Sequence, residues 1–396
     1  MSVGIAGMGW VTPLGTDLEN VWAQIREGIV PEIKTLTNPE SGRVHPIFTT
    51  PPEAIAHLAR NPRLRRSSHI GTIAVAAGLA ALENAGISMT TELAARTAVV
   101  FAISDGVVLY TRKFYDQIVK QGANAASPLL FPETVYNAPA SHLAALLGID
   151  GASYTLVGDA AVGMSALHFA AELLETSDIG QVVVVGAEEC DWILCEAYAT
   201  WRLARTPLAE GAAALVLKRE GRWRLTTHPG APFFHQRDAA AALGSVLAHF
   251  AGAKIERVIS SANGTFIDRA EASALAPHFP NVPVFTPKKS LGESPGASAL
   301  QQTIAAAMTG ESALVTVVGF NHQCGAAWVG QDGDLAMRLA AKGRNERSDT
   351  ELDPHVYPVD SGAPINSSSD ADPRPGYFCS LFGRMNVSES PVVFET

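Results

Sequence analysis

The chain has 396 residues, 47% hydrophobic and 17% charged, with 34 glycines and a formal net charge of −10. That length and apolar content suffice for a large core, in two domains or one duplicated one. The acidic balance argues against a nucleic-acid or anionic-membrane surface, so neither kind of partner is expected. The dense basic run, Arg60-Asn61-Pro62-Arg63-Leu64-Arg65-Arg66, reads as a solvated loop or as a docking site for an acidic protein.

The start, Met1 to Gly7, lacks a charged n-region followed by a long apolar core, and no apolar run approaches the roughly 18 residues of a membrane span. Neither a signal peptide nor membrane insertion is expected. Cys190, Cys195, Cys324 and Cys379 are too sparse for a disulfide framework and form no CxxC pair. A reducing, cytoplasmic compartment follows as the expectation, with no metal and no cofactor.

In chain order, short β-rich runs alternate with longer helical patterns, which predicts an α/β protein with mostly buried strands. Strands are expected near 3–7, 97–103, 181–187, 212–217, 256–261, 282–286, 312–318 and 326–330, and helices near 70–86, 163–176, 237–252, 270–276 and 297–309. The stretch Ile70 to Leu82 is apolar almost all round, which places its helix at the centre of a layered fold. Strand, small-residue turn, helix and strand follow one another over 97–217 and again over 256–330, as a divergent duplication would leave them. The expected division is an N-terminal half, 1–220, a C-terminal half, 221–341, and an extended C-terminal arm or flexible tail, 342–396, where periodicity gives way to polar sequence.

The segment Ala152 to Gly163 has the form of a nucleophile elbow: an apolar run, a tight small-residue turn and an amphipathic helix. Such a turn presents one side chain at a helix N-terminus, where a thiolate is favoured. The residue at the apex is Ala160. The glycines of Gly4-Ile5-Ala6-Gly7-Met8-Gly9 do not make a dinucleotide fingerprint, because the third is misplaced and no helix clearly opens there. His142 and His168 fall on mainly apolar helical stretches and read as satisfied core histidines, and Cys190 and Cys195 read as small buried hydrophobes.

The elbow, with Phe131-Pro132-Glu133-Thr134-Val135-Tyr136-Asn137-Ala138-Pro139 before it, resembles the central block of the β-ketoacyl synthases. Gly4 to Gly15 resembles their opening strand and turn, Gly148-Ile149-Asp150-Gly151 their glycine pair, and Val182 to Glu189 the strand after the elbow with its acidic end. The resemblance runs from about residue 3 to 330 and implies a duplicated five-layered α-β-α-β-α thiolase-like fold. It also implies a catalytic set that this chain lacks. The acyl-accepting cysteine corresponds to Ala160, which cannot form a thioester. Asn263, in Ala262-Asn263-Gly264-Thr265, stands at the first histidine position and Glu293, after Lys288 and Gly292, at the second; Asp268 and Glu271 keep the family's acidic spacing. Two imidazole donors would stabilise an enolate there, and an amide and a carboxylate do so poorly. The family's loop between the acidic strand end and the next strand is shortened to Arg202–Ala212.

Phe320, His322 and Cys324 lie where the family has its glycine-rich gating loop, so Cys324 is a candidate for a relocated nucleophile. Glu133, Thr134, Val135 and Tyr136 correspond to the segment that reaches the neighbouring protomer's acyl tunnel, with Tyr136 or its neighbours as a stop for chain length. Three readings follow. The chain is a non-catalytic subunit of the chain-length-factor type, partnered by an active ketosynthase in a heterodimer or heterotetramer, with acyl carrier protein as a further partner, in fatty-acid, polyketide or aryl-polyene synthesis. Alternatively it is a ketosynthase-fold enzyme with altered acyltransferase or hydrolytic chemistry, or a scaffolding homodimer. The loss of all three catalytic groups favours the first.

Overall fold

The computed structural model describes residues 1–331. The arm read at 342–396 and Cys379 lie outside the described residues. Ten strands carry the fold: β1 (Ser2–Val11), β2 (Thr97–Ile103), β3 (Ser153–Val157), β4 (Gln181–Glu188), β5 (Gly211–Lys218), β6 (Trp223–Thr227), β7 (Arg257–Ile259), β8 (Val284–Phe285), β9 (Ala313–Val318) and β10 (Gln323–Gly330). They hydrogen-bond in the order β8-β7-β9-β10-β6-β1-β5-β4-β2-β3, and a two-residue strand, Ala231–Pro232, pairs with β10.

The sequence of pairings is the same in both halves of this sheet. From β1 outward, β5 and β4 join antiparallel, then β2 and β3 parallel. From β6 outward, β10 and β9 join antiparallel, then β7 and β8 parallel. The halves meet where β1 and β6 pair antiparallel. Parallel neighbours need crossover helices, and both faces of such strands are covered, which is why Val182–Val185 forms an unbroken buried run.

The main helices are α1 (Leu18–Glu27), α2 (His69–Asn84), α3 (Val108–Gln121), α4 (Ala138–Leu147), α5 (Val162–Thr176), α6 (Trp192–Trp201), α7 (Ala239–Leu247), α8 (Phe266–His278) and α9 (Pro295–Met308). Helices α5 and α9 pack on each other between the two half-sheets, and their buried side chains form one core with Val100, Val184, Val315 and Val317. Helices α2 and α4 cover the outer face of the first half-sheet, and α7 and α8 that of the second. The result is five layers, α-β-α-β-α. Among the described residues no helix is long and apolar enough to cross a membrane.

Helix α2 is buried as its composition requires, with Ser68 Oγ capping the amide of Gly71, but it lies in an outer layer and not at the centre. Its far side is covered by α4 and by Ala54, Leu58 and Leu64, which share its core. The central positions belong to α5 and α9 instead. Helices α1, α3 and α6 and strand β6 were not expected from the pattern. Helix α3 fully buries none of its residues. A separate small sheet joins Lys34–Thr37, Val44–Phe48 and Leu208–Ala209, and thereby fixes the segment just before β5.

Candidate functional site

Strand β3 ends at Val157 and α5 begins at Val162, so Gly158–Ala161 forms the turn the sequence suggests. Ala160 is 1% exposed, and its methyl group offers neither a lone pair nor an acid. The neighbouring Asp159 organises the turn. Its carboxylate accepts from the amide of Ala161 at 2.9 Å and from that of Asn321 at 2.6 Å, which ties the β9–β10 loop to the elbow. Burial raises the Asp159 pKa, against these bonds and the nearby Lys288 charge, which lower it. Any Cβ at position 319 would lie 1.9 Å from the Asp159 carboxylate, so the loop passes here only as glycine.

Asn263 and Glu293 are brought into direct contact. Asn263 Nδ2 donates to Glu293 Oε2 at 2.8 Å and to Leu203 O at 3.1 Å, while its Oδ1 accepts from Thr265 Oγ1 at 2.7 Å. Glu293 Oε1 lies 2.6 Å from Lys288 Nζ, and the two side chains are 1% and 2% exposed. Every polar atom of this buried chain of groups therefore has a partner, as the interior demands.

The shortened segment after α6 is bonded to both positions. The amides of Arg205 and Thr206 donate to Asn263 O, Glu293 N donates to Pro207 O, and Ala209 N donates to Glu293 O at 2.8 Å. Gly292 has φ +80°, and a Cβ there would sit 2.5 Å from that of Ala209. Residues 203–209 thus form a strap lying directly on Asn263 and Glu293. Arg202, which opens the strap, takes a left-handed conformation at φ 55° and ends α6.

A second group of acids stands beside this chain at the C-terminal ends of β2 and β4. Glu188 accepts from the amides of Ser104, Asp105 and Gly296, the last in the first turn of α9. Glu189 accepts from Ile70 N in α2 and Leu109 N in α3. These two consecutive carboxyls satisfy orphan amides of three helix N-termini, where negative charge is favoured. Burial nevertheless holds Glu189 up at about 7 and Glu188 well above its ordinary value, where the Asp105 charge adds to the rise. Asp105 accepts from Tyr198 Oη at 3.2 Å and is pushed to about 7, by burial first and by Glu293 in smaller part.

The β9–β10 loop places Phe320 edge-on to Tyr198, with ring centroids 5.6 Å apart. His322 is left-handed at φ 72°, and its carbonyl accepts from Phe233 N. Cys324 lines a cavity of about 220 Å³ together with Ala161, Met164 and Ser165. Its Sγ donates to Ala231 O at 3.3 Å, and burial pushes the thiol up to about 11. A thiol held protonated is a weaker nucleophile than a thiolate. Cys190 and Cys195 are buried, and burial raises both thiols.

Residues 131–136 do not present all four interface candidates outward. Glu133 turns inward and pairs with His142 Nε2 at 2.8 Å. Thr134 is half-buried, and Val135 and Tyr136 are exposed, with the Tyr136 ring lying against Gly106. In the basic run, Arg60, Arg63, Arg65 and Arg66 are all exposed around a short turn anchored by buried Leu64. His168 bonds Thr227 Oγ1 at 3.0 Å, and burial lowers its pKa.

Neither the strap's attachment to Asn263 nor the roles of Asp105 and Asp159 are legible in the sequence. For Lys288 a signal existed, since it stands five residues before Glu293.

The model of the family described as "Beta-ketoacyl synthase, N-terminal domain" matches residues 1–222. A 3-oxoacyl-[acyl-carrier-protein] synthase 2 of Vibrio harveyi is 25% identical over 199 residues, 47% of this chain and 45% of that protein. The chain thus spans about half the length of the curated relatives it matches. Among solved structures, a β-ketoacyl synthase from Burkholderia phymatum STM815 has a TM-score of 0.70 at 18% identity, covering 83% of this chain and 99% of the other. The ishigamide ketosynthase/chain length factor has a TM-score of 0.65 at 19% identity, with the same coverage. By the family match over more than half its length and by its five layers, this chain belongs to the β-ketoacyl synthase family.

Proposed function

We propose that this protein is a non-catalytic subunit of the chain-length-factor type that pairs with an active β-ketoacyl-ACP synthase and shapes its acyl tunnel. The observation that carries the reading is the buried network of Lys288, Glu293 and Asn263 under the 203–209 strap, beside an elbow whose apex is Ala160. Groups that bond each other and the main chain this completely serve packing, and a tunnel-shaping role needs packing and shape alone. Two surface features suit such a partner. Among the described residues strand β3 ends the sheet and exposes Tyr154 and Val157, an edge suited to another chain. The four exposed arginines of 60–66 suit an acidic carrier protein.

Co-expression with an intact β-ketoacyl synthase, followed by sizing and activity measurement, tests the reading. A 1:1 complex active in condensation, with this chain inactive alone, is expected. Self-association without ketosynthase binding would favour the scaffold. Acyl transfer or hydrolysis by the isolated chain would favour altered enzymology.

A further inference from the structure

A cavity of about 420 Å³ lies between α1, the end of β8 and the C-terminal turn of α9, lined in part by Trp22, Arg26, Arg257, Phe285, Met308 and Glu311. Its volume falls within the range of small-molecule sites. It is remote from the elbow network. Helix α9 starts beside Glu188 at Gly296 and reaches the cavity at Met308, 14 residues being about 20 Å of helix.

The lining combines an apolar body with positive charge. Trp22 and Phe285 meet edge to face, with centroids 5.7 Å apart, and Met308 lies beside them. One turn along α1, the exposed Arg26 guanidinium lies 5.9 Å from the Trp22 ring centroid, and no carboxylate among the described residues pairs with it. Arg257 forms a two-pronged bond to Glu311 through Nε, 2.8 Å, and Nη2, 3.2 Å, which leaves Nη1 for a further acceptor. Two guanidinium groups against one carboxylate leave one positive charge over, beside aromatic surface.

We propose that this cavity binds a small organic carboxylate, with the apolar body against Trp22, Phe285 and Met308 and the carboxylate on Arg26 and Arg257 Nη1. Charge-assisted, planar bonds from guanidinium to carboxylate supply the selectivity. The proposal is independent of the pairing role, since neither the elbow nor β3 contributes to it.

Calorimetric titration of the full chain with phenylacetate and hexanoate, with phenethyl alcohol, hexanol and inorganic phosphate as controls, provides the test. Both carboxylates should bind at concentrations up to roughly 10 mM, the alcohols about tenfold more weakly or not at all. Arg26→Gln should weaken the carboxylates by about tenfold while the melting temperature stays unchanged, because the side chain is exposed. Absence of carboxylate binding, equal binding of the alcohols, or unchanged affinity in Arg26→Gln would each overturn the proposal. Phosphate binding without carboxylate binding would identify a bare anion site and overturn the ligand class.

Discussion

Lys288 and Glu293 form a buried ion pair at 2.6 Å at the position where the family resemblance places a catalytic histidine. The pair is completed by Asn263, which carries the network to Leu203 and so to the strap. A buried charge without its partner is costly, whereas removing both charges can be nearly neutral. Glu293→Leu should therefore cost about 3–5 kcal/mol of unfolding free energy, and Lys288→Met combined with Glu293→Leu distinctly less. Urea denaturation of the two variants checks this, and equal losses would mean the pair is not coupled.

Ala160 at the elbow apex makes the intact mass of the protein a test. Incubation with acyl carrier protein loaded with an acyl group, or with acyl-CoA, should leave the intact mass of the protein unchanged, because Ala160 has no nucleophilic atom and the Cys324 thiol is held at about 11 by burial. A stable adduct mapped to Cys324 would shift the balance to altered enzymology.

A cysteine at the elbow apex should not by itself confer condensation. Ala160→Cys is expected to give at most slow self-acylation, since Asn263 and Glu293 are committed to each other and to the strap. Adding Glu293→His should lower stability, because it strands the Lys288 ammonium. Condensing activity in Ala160→Cys by itself would contradict the structural role given to these residues.

Asp105 supplies a pH prediction. Its native pKa of about 7 lies above the ordinary 3.8, so between those values the native state holds a proton the unfolded chain has lost. Stability then falls as pH rises through that window. Asp105→Asn removes this titration and relieves the charge that helps raise Glu188. The variant should lose less stability than the native protein between pH 5 and pH 8 in urea midpoint measurements. Parallel profiles would show that Asp105 does not titrate in this range.

Tyr136 tests the pairing role. It is 43% exposed in the single chain, so Tyr136→Ala should cost the isolated protein less than the about 3–5 kcal/mol of a fully buried ring. In complex with a ketosynthase, a widened tunnel end should lengthen the products, read by mass. Unchanged product length in an intact complex would remove Tyr136 from the tunnel.

Features whose cause is local are legible in the order of the residues. The unbroken apolar run at Val182–Val185 marks a strand covered on both faces, and the patterns at 163–176 and 297–309 mark α5 and α9 to within a few residues. The apex at Ala160 is likewise legible, because a turn between strand and helix is written in adjacent residues. Arrangements assembled from distant segments emerge only on folding. Asn263 meets Leu203 across 60 residues, and Glu188 caps α9 across 108. Glu133, expected in the segment facing a neighbouring protomer, is instead paired with His142 by folding. Even the apolar all-round α2 lies in an outer layer, since its cover comes from α4 and residues 54–64. Propensity and periodicity act over one or two turns of chain, whereas the partner of a buried polar group is set by the order in which strands enter the sheet.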